Sequence, residues 1–108
     1  MKPCDPMAVA VDWLDAYRAA RLNQIVGMYS LDGVIECACG GRKIIQGQEG
    51  IAAYWRHRFV EMPALEIEDL QEDNGAVVVS YRTTGGIVQA LLDIGDDGLI
   101  SRCRCGPI

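Results

Sequence analysis

Pro63 divides this chain into two stretches with different hydrophobic periods, and that division constrains the fold more than any other feature. Every stretch with helical spacing lies before it. From Met7 to Arg21 the apolar positions Ala10, Trp13, Leu14 and Tyr17 recur at steps of three and four, opposite Asp12, Asp15 and Arg18. Asp5-Pro6 starts this helix with a capping oxygen, then a proline whose missing N–H costs nothing at the first helical position. Asn23 can cap a shorter helix burying Leu22, Ile25, Val26 and Tyr29. A third runs from about Gln48 to Met62 with the stripe Ile51, Trp55, Phe59 and Met62, flanked by Tyr54 and Arg58.

After Pro63 the pattern alternates. Leu65, Ile67 and Asp69 oppose Glu66, Glu68 and Leu70, giving a strand wet on one face. Asp73-Asn74-Gly75, Gly85-Gly86 and Asp96-Asp97-Gly98 then separate three further strands. In the first half, Asp32-Gly33 turns the chain into a strand that carries Ile35, Cys37 and Cys39 on one face. Gly40-Gly41 turns it into Arg42–Gln46. The order is α-α-β-β-α-β-β-β-β, an α+β fold with a curved, mostly antiparallel sheet and helices segregated to one side. At 108 residues this is a single domain, 1–108, with one core.

A net charge of −5 makes nucleic acid and anionic membrane surfaces poor partners. No apolar run reaches the length of a membrane span, and Met1–Pro6 lacks the apolar core of a signal peptide, so the cytoplasm is expected. The five cysteines are an odd number without a compact disulfide framework, which fits reduced thiols.

Several of these segments together resemble the nuclear transport factor 2-like superfamily, which includes the SnoaL-like polyketide cyclases and the ketosteroid isomerases. They are the helix with Trp13 and Tyr17, then Leu22–Tyr29, Asp32–Glu36, Gly47–Ile51 with Tyr54-Trp55, and Asp97-Gly98-Leu99-Ile100. The resemblance implies a cone-shaped fold whose open end admits a small, mostly apolar or cyclic organic ligand, and a homodimer through the outer face of the sheet. In the isomerase branch a carboxylate base, a tyrosine and a protonated aspartic acid carry out enolate chemistry. Those positions fall here on Cys37, Trp13 and Asp93, so two of the three residue types are replaced.

Asp93 is the expected catalytic group, a lone carboxylate between Ala90-Leu91-Leu92 and Ile94; inside a cavity it would hold a proton. The alternative is that it faces solvent beside the Gly95–Gly98 turn. Trp13, Tyr17, Tyr29, Ile35, Cys37, Trp55, Phe59, Gln89, Leu91 and Cys103 are the expected ligand-binding residues, against the alternative that aromatics at helical spacing are core. Cys37, Cys39, Cys103 and Cys105 form two Cys-x-Cys pairs on strands that the resemblance places side by side. Flat-strand pairs suit metal poorly, so no cofactor or metal is expected; small core residues come first, and a disulfide between strands ahead of zinc. His57, between Arg56 and Arg58, reads as part of a solvated basic face rather than a base for Cys37. The expected function is small-molecule binding, with isomerase or cyclase chemistry as its catalytic form; the alternative is a non-catalytic ligand-binding or dimerisation module.

Overall fold

A computed structural model describes residues 5–38, 41–74 and 76–107. Cys39, Gly40 and Gly75, on which parts of two expected turns and one thiol pair rest, lie outside the described residues, as does Cys4. The chain forms α1 (Pro6–Arg18), α2 (Leu22–Gly27), β1 (Tyr29–Cys37), β2 (Lys43–Gln46), α3 (Gln48–Glu61), β3 (Ile67–Asp73), β4 (Ala76–Thr83), β5 (Gly86–Ile94) and β6 (Ile100–Pro107). The six strands make one sheet in the order β2-β1-β6-β5-β4-β3. All neighbours are antiparallel except β1 and β6, which run parallel. This is the α+β order read from the sequence.

Helix α1 begins as its sequence dictates: the Asp5 carboxylate accepts from the Met7 N–H at 3.1 Å and Pro6 follows. It buries Ala10, Trp13, Leu14, Ala16 and Tyr17 against the sheet. Helix α2 is shorter than expected. Tyr29 is already in β1, where it pairs with Ile100, and Asp32-Gly33 lies inside the strand rather than at a turn before it. The β1–β6 register shifts between Tyr29 and Val34, and that irregularity absorbs the Asp-Gly pair. Gly33 is needed there: a Cβ would sit 3.0 Å from the Ser30 carbonyl oxygen and 3.3 Å from that of Ile100.

The strand expected from Leu65 has its regular pairing from Ile67. The Leu65 N–H already donates to the Arg82 carbonyl and the Arg82 N–H to the Glu66 carbonyl, but a register shift between Ile67 and Asp69 interrupts the ladder. The inner face of the sheet carries Ile35, Val77, Val79, Tyr81, Val88, Ala90, Leu92 and Cys103, all buried under the helices. Among the described residues no helix is long and apolar enough to cross a membrane.

Candidate functional site: a cleft between α3 and β2

The space between the helices and the inner face of the sheet is filled by side chains. Trp13, Tyr17, Trp55 and Tyr81 contact one another edge to face at centroid distances of 4.8–6.1 Å, and Phe59 tilts against Tyr17 and Trp55. Trp13 Nε1–H donates to the Tyr29 hydroxyl at 3.1 Å. Trp13, Tyr17, Tyr29, Trp55 and Tyr81 are each no more than 2% exposed. Burial pushes the hydroxyl pKa values of Tyr29 and Tyr81 well above the ordinary tyrosine range, so both are neutral.

The open space lies to one side. A cleft of about 810 Å³ runs between β2 and α3, lined by Cys37 from β1, Lys43–Gln46, Met62, and Gly50, Ala53, Tyr54, His57, Arg58 and Glu61 from α3. Gly50 sets its narrow end, because a Cβ there would meet Ile45 Cγ2 at 3.1 Å. Ile44, Ile45, Ala53 and Met62 supply apolar walls. Lys43 and Arg58 against Glu61 make this cleft locally basic in a chain of net charge −5.

Arg58 is the central polar group and is only 5% exposed. Its Nε–H donates to the Tyr17 hydroxyl at 2.8 Å, Nη2 to the Tyr81 hydroxyl at 2.9 Å, and Nη1 to Cys37 Sγ at 3.6 Å. One guanidinium thus ties α3 to α1, β4 and β1. The Tyr17 hydroxyl passes the chain on by donating to the Met62 carbonyl, one of the acceptors left open where α3 ends. Burial raises the Tyr17 pKa, and the Arg58 charge opposes that shift.

Tyr54 stands beside Arg58, whose guanidinium carbon is 5.9 Å from its ring centroid. Its hydroxyl lies 3.5 Å from Cys105 Sγ. Burial, then the neighbouring Cys105 charge, holds the Tyr54 pKa far above the ordinary range, so it is a neutral O–H donor. Cys105 is the register partner of Cys37 across the parallel β1–β6 pair, and both thiols point inward. The Cys105 pKa is raised strongly, first by its hydrogen bond to Cys37 and then by burial. His57 and Glu61 approach to 3.9 Å at the exposed mouth.

Of the residues expected to bind ligand, the structure brings Cys37 to the cleft wall. Trp13, Tyr17, Tyr29, Trp55 and Phe59 are instead its packed backing, and Ile35 and Cys103 are core neighbours in register across β1 and β6. Asp93, Leu91 and Gln89, expected to face the cavity, stand on the outer face of the sheet. Alternation along β5 turns Val88, Ala90 and Leu92 inward and these three outward. Asp93 there lies 3.9 Å from Arg104, and Glu36 lies 3.4 Å from Arg102. Among the described residues no three His, Cys, Asp or Glu side chains converge as metal ligands.

Sequence reasoning passed over Arg58 as a flank of the helical stripe. The signal was its position. Ile51, Trp55, Arg58 and Met62 follow steps of four, three and four, and the buried set of α3 is Ile51, Trp55 and Arg58, with Phe59 only partly covered. An arginine on a buried stripe is either paired in the core or part of a site.

Solved structures share this architecture. A SnoaL-like protein of unknown function from Burkholderia thailandensis superposes with TM-score 0.76 at 20% identity, covering 89% of this chain and 88% of that one. A protein assigned as a ketosteroid isomerase from Kribbella flavida gives 0.80 at 18% identity, covering 94% and 76%. SalBIII, an epoxide hydrolase/cyclase-like enzyme in pyran ring formation, gives 0.78 at 16%, covering 94% and 88%. At these identities the likeness is one of fold. A search of curated proteins found no match to the sequence. Residues 10–102 match the SnoaL-like domain, and on that match, spanning most of its length, the chain belongs to the SnoaL-like family within the nuclear transport factor 2-like superfamily.

Proposed function

We propose that this protein binds a small, mostly apolar organic molecule in the cleft between α3 and β2, with a carbonyl or enolate oxygen directed at Arg58 and Tyr54. The observation that carries this reading is a buried guanidinium at the inner end of a cleft with apolar side walls. A fixed positive charge and a neutral phenol, screened from water, stabilise negative charge on a ligand oxygen without reorganising. Ile44, Ile45, Ala53 and Met62 take the hydrocarbon part. For catalysis through an enolate, His57 and Glu61 at the mouth are the groups able to move a proton on the ligand's exposed side.

A nitrophenolate is a planar mimic of an enolate and tests the oxygen site directly. Titrated near its own pKa, it should bind as the anion and intensify the phenolate band, and Arg58→Met should abolish that change. An unchanged spectrum with wild-type protein defeats the oxyanion reading. Deuterium exchange at the α-carbon of a bound cyclic ketone, followed by NMR, separates the two functional classes. Exchange that Glu61→Gln slows supports an isomerase or cyclase; binding without exchange supports a non-catalytic ligand carrier.

The outer face of the sheet is the surface proposed for a homodimer. Val78 and Leu91 are register partners at its centre, surrounded by Gln89, Asp93, Arg102 and Arg104. Sedimentation should give a dimer that Leu91→Lys converts to monomer, and a wild-type monomer at all concentrations rejects this surface.

A further inference from the structure

We infer that Cys37 and Cys105 form a two-thiol modification site for small peroxides at the inner end of the cleft. Their geometry divides the labour such a site requires. Cys37 lines the cleft and receives an N–H from the Arg58 guanidinium, the environment that favours a thiolate over a thiol. Cys105 lies directly across from it on the neighbouring strand, inside the sheet, with Tyr54 against its sulfur. The hydrogen bond between the two thiols raises the Cys105 pKa, so the pair keeps its second proton there. An attacking sulfur at the wall of the cleft and a protonated partner behind it match the pairing of redox-sensing cysteines with resolving ones. Paired residues on adjacent strands also have the Cα separation a disulfide spans.

The Cys37 thiolate attacks one peroxide oxygen and the O–O bond breaks. Hydroxide, or alkoxide from an alkyl peroxide, leaves and takes up the proton that Cys37 released to solvent on becoming a thiolate, and Cys37 becomes a sulfenic acid. The Cys105 sulfur then attacks the Cys37 sulfur. The departing hydroxide takes the Cys105 proton and leaves as water. Two electrons pass from the thiol pair to the peroxide, which ends as two waters or, for an alkyl peroxide, as an alcohol and water. Lys43, the partner of Cys37 on β2, and His57 and Glu61 line the same cleft, and the Tyr54 hydroxyl hydrogen-bonds to Cys37 as well as to Cys105. A disulfide would draw the Cys37 sulfur toward β6 and away from Arg58, so oxidation alters the floor on which a ligand oxygen would rest.

The test uses wild-type protein, stoichiometric hydrogen peroxide, blocking of remaining thiols and peptide mapping by mass spectrometry. The expected product is a Cys37–Cys105 link that loses two hydrogens and is reversed by dithiothreitol. Trypsin cuts between Cys103 and Cys105 at Arg104 but leaves Cys37 with Cys39, so a Cys39→Ser variant assigns the partner. Cys105→Ser should leave a Cys37 sulfenic acid that dimedone traps, and Cys37→Ser should leave Cys105 reduced. Arg58→Lys should retain the oxidation rate within a few-fold, while Arg58→Met slows it by about tenfold or more. Peroxide that oxidises other cysteines while Cys37 and Cys105 stay reduced overturns the inference. So does a Cys37 that reacts with iodoacetamide with the pH dependence of an ordinary thiol. Neither result bears on nitrophenolate binding, which probes the oxygen site separately.

Discussion

The two sides of α3 show opposite uses of one helix. Toward α1 and the inner sheet, Ile51 and Trp55 pack into a cluster of interlocked rings. Toward β2, Ala53, Tyr54, His57 and Glu61 border open space. Arg58 sits on the boundary, hydrogen-bonded to the cluster through Tyr17 and Tyr81 and to the cleft wall through Cys37. The aromatic side supplies stability and leaves little room for a guest. The cleft side contributes less packing and holds the polar chemistry. In this chain rings fill the middle of the fold, and the cleft lies on its flank.

The largest effect should come from the packed side. Trp55→Ala empties the centre of the cluster and should cost about 3–5 kcal/mol, read from the denaturant midpoint; a loss under about 1 kcal/mol would mean the rings are loosely held. Arg58→Met should cost on the order of 2 kcal/mol, because it strips donors from two buried hydroxyls, and should also abolish ligand-oxygen recognition. Stability lost with nitrophenolate binding intact would make Arg58 a strut and no more.

High pH separates the two sides by a different route. The pKa values of Tyr17, Tyr29, Tyr54 and Tyr81 are raised in the folded chain above the unfolded value of 10.0. Above pH 10 the unfolded chain therefore releases protons that the folded chain keeps. Stability is fully present below pH 10 and falls as pH rises beyond it, by up to about 1.4 kcal/mol per pH unit for each tyrosine. Tyrosinate absorbance should appear together with loss of the folded circular dichroism signal; absorbance rising first would mean that water reaches the cluster. The smallest changes are expected at Ile44→Ser and Asp93→Asn, each within about 0.5 kcal/mol. Of the two, only Ile44→Ser should weaken ligand binding, since Ile44 lines the cleft and Asp93 faces outward.

Much of the fold was legible because periodicity and turn residues report burial directly. Asp5-Pro6 starts α1, Pro63 marks the change from helical to alternating spacing, and β1 lies beside β6, as the resemblance implied. Asp32-Gly33 misled, since the same dipeptide serves a turn and a bulge, and only the approach of the Ile100 carbonyl decides between them. The site was less legible. Alternation states that Leu92 and Asp93 face opposite ways without saying which way is inward, and that choice depends on register with β4 and β6. Arg58 was hidden because its burial depends on hydroxyls from residues 17 and 81, far away in the sequence.

Strand β3 has a consequence beyond the fold. It forms one free edge of the sheet, and its sequence Ile67-Glu68-Asp69-Leu70-Gln71-Glu72-Asp73 sets four carboxylates along that edge. A second copy docking there in register would bring like charges face to face before any backbone hydrogen bond could form. The edge thus resists fibrillar growth by charge alone. High salt, by screening those carboxylates, is where this protein should begin to aggregate.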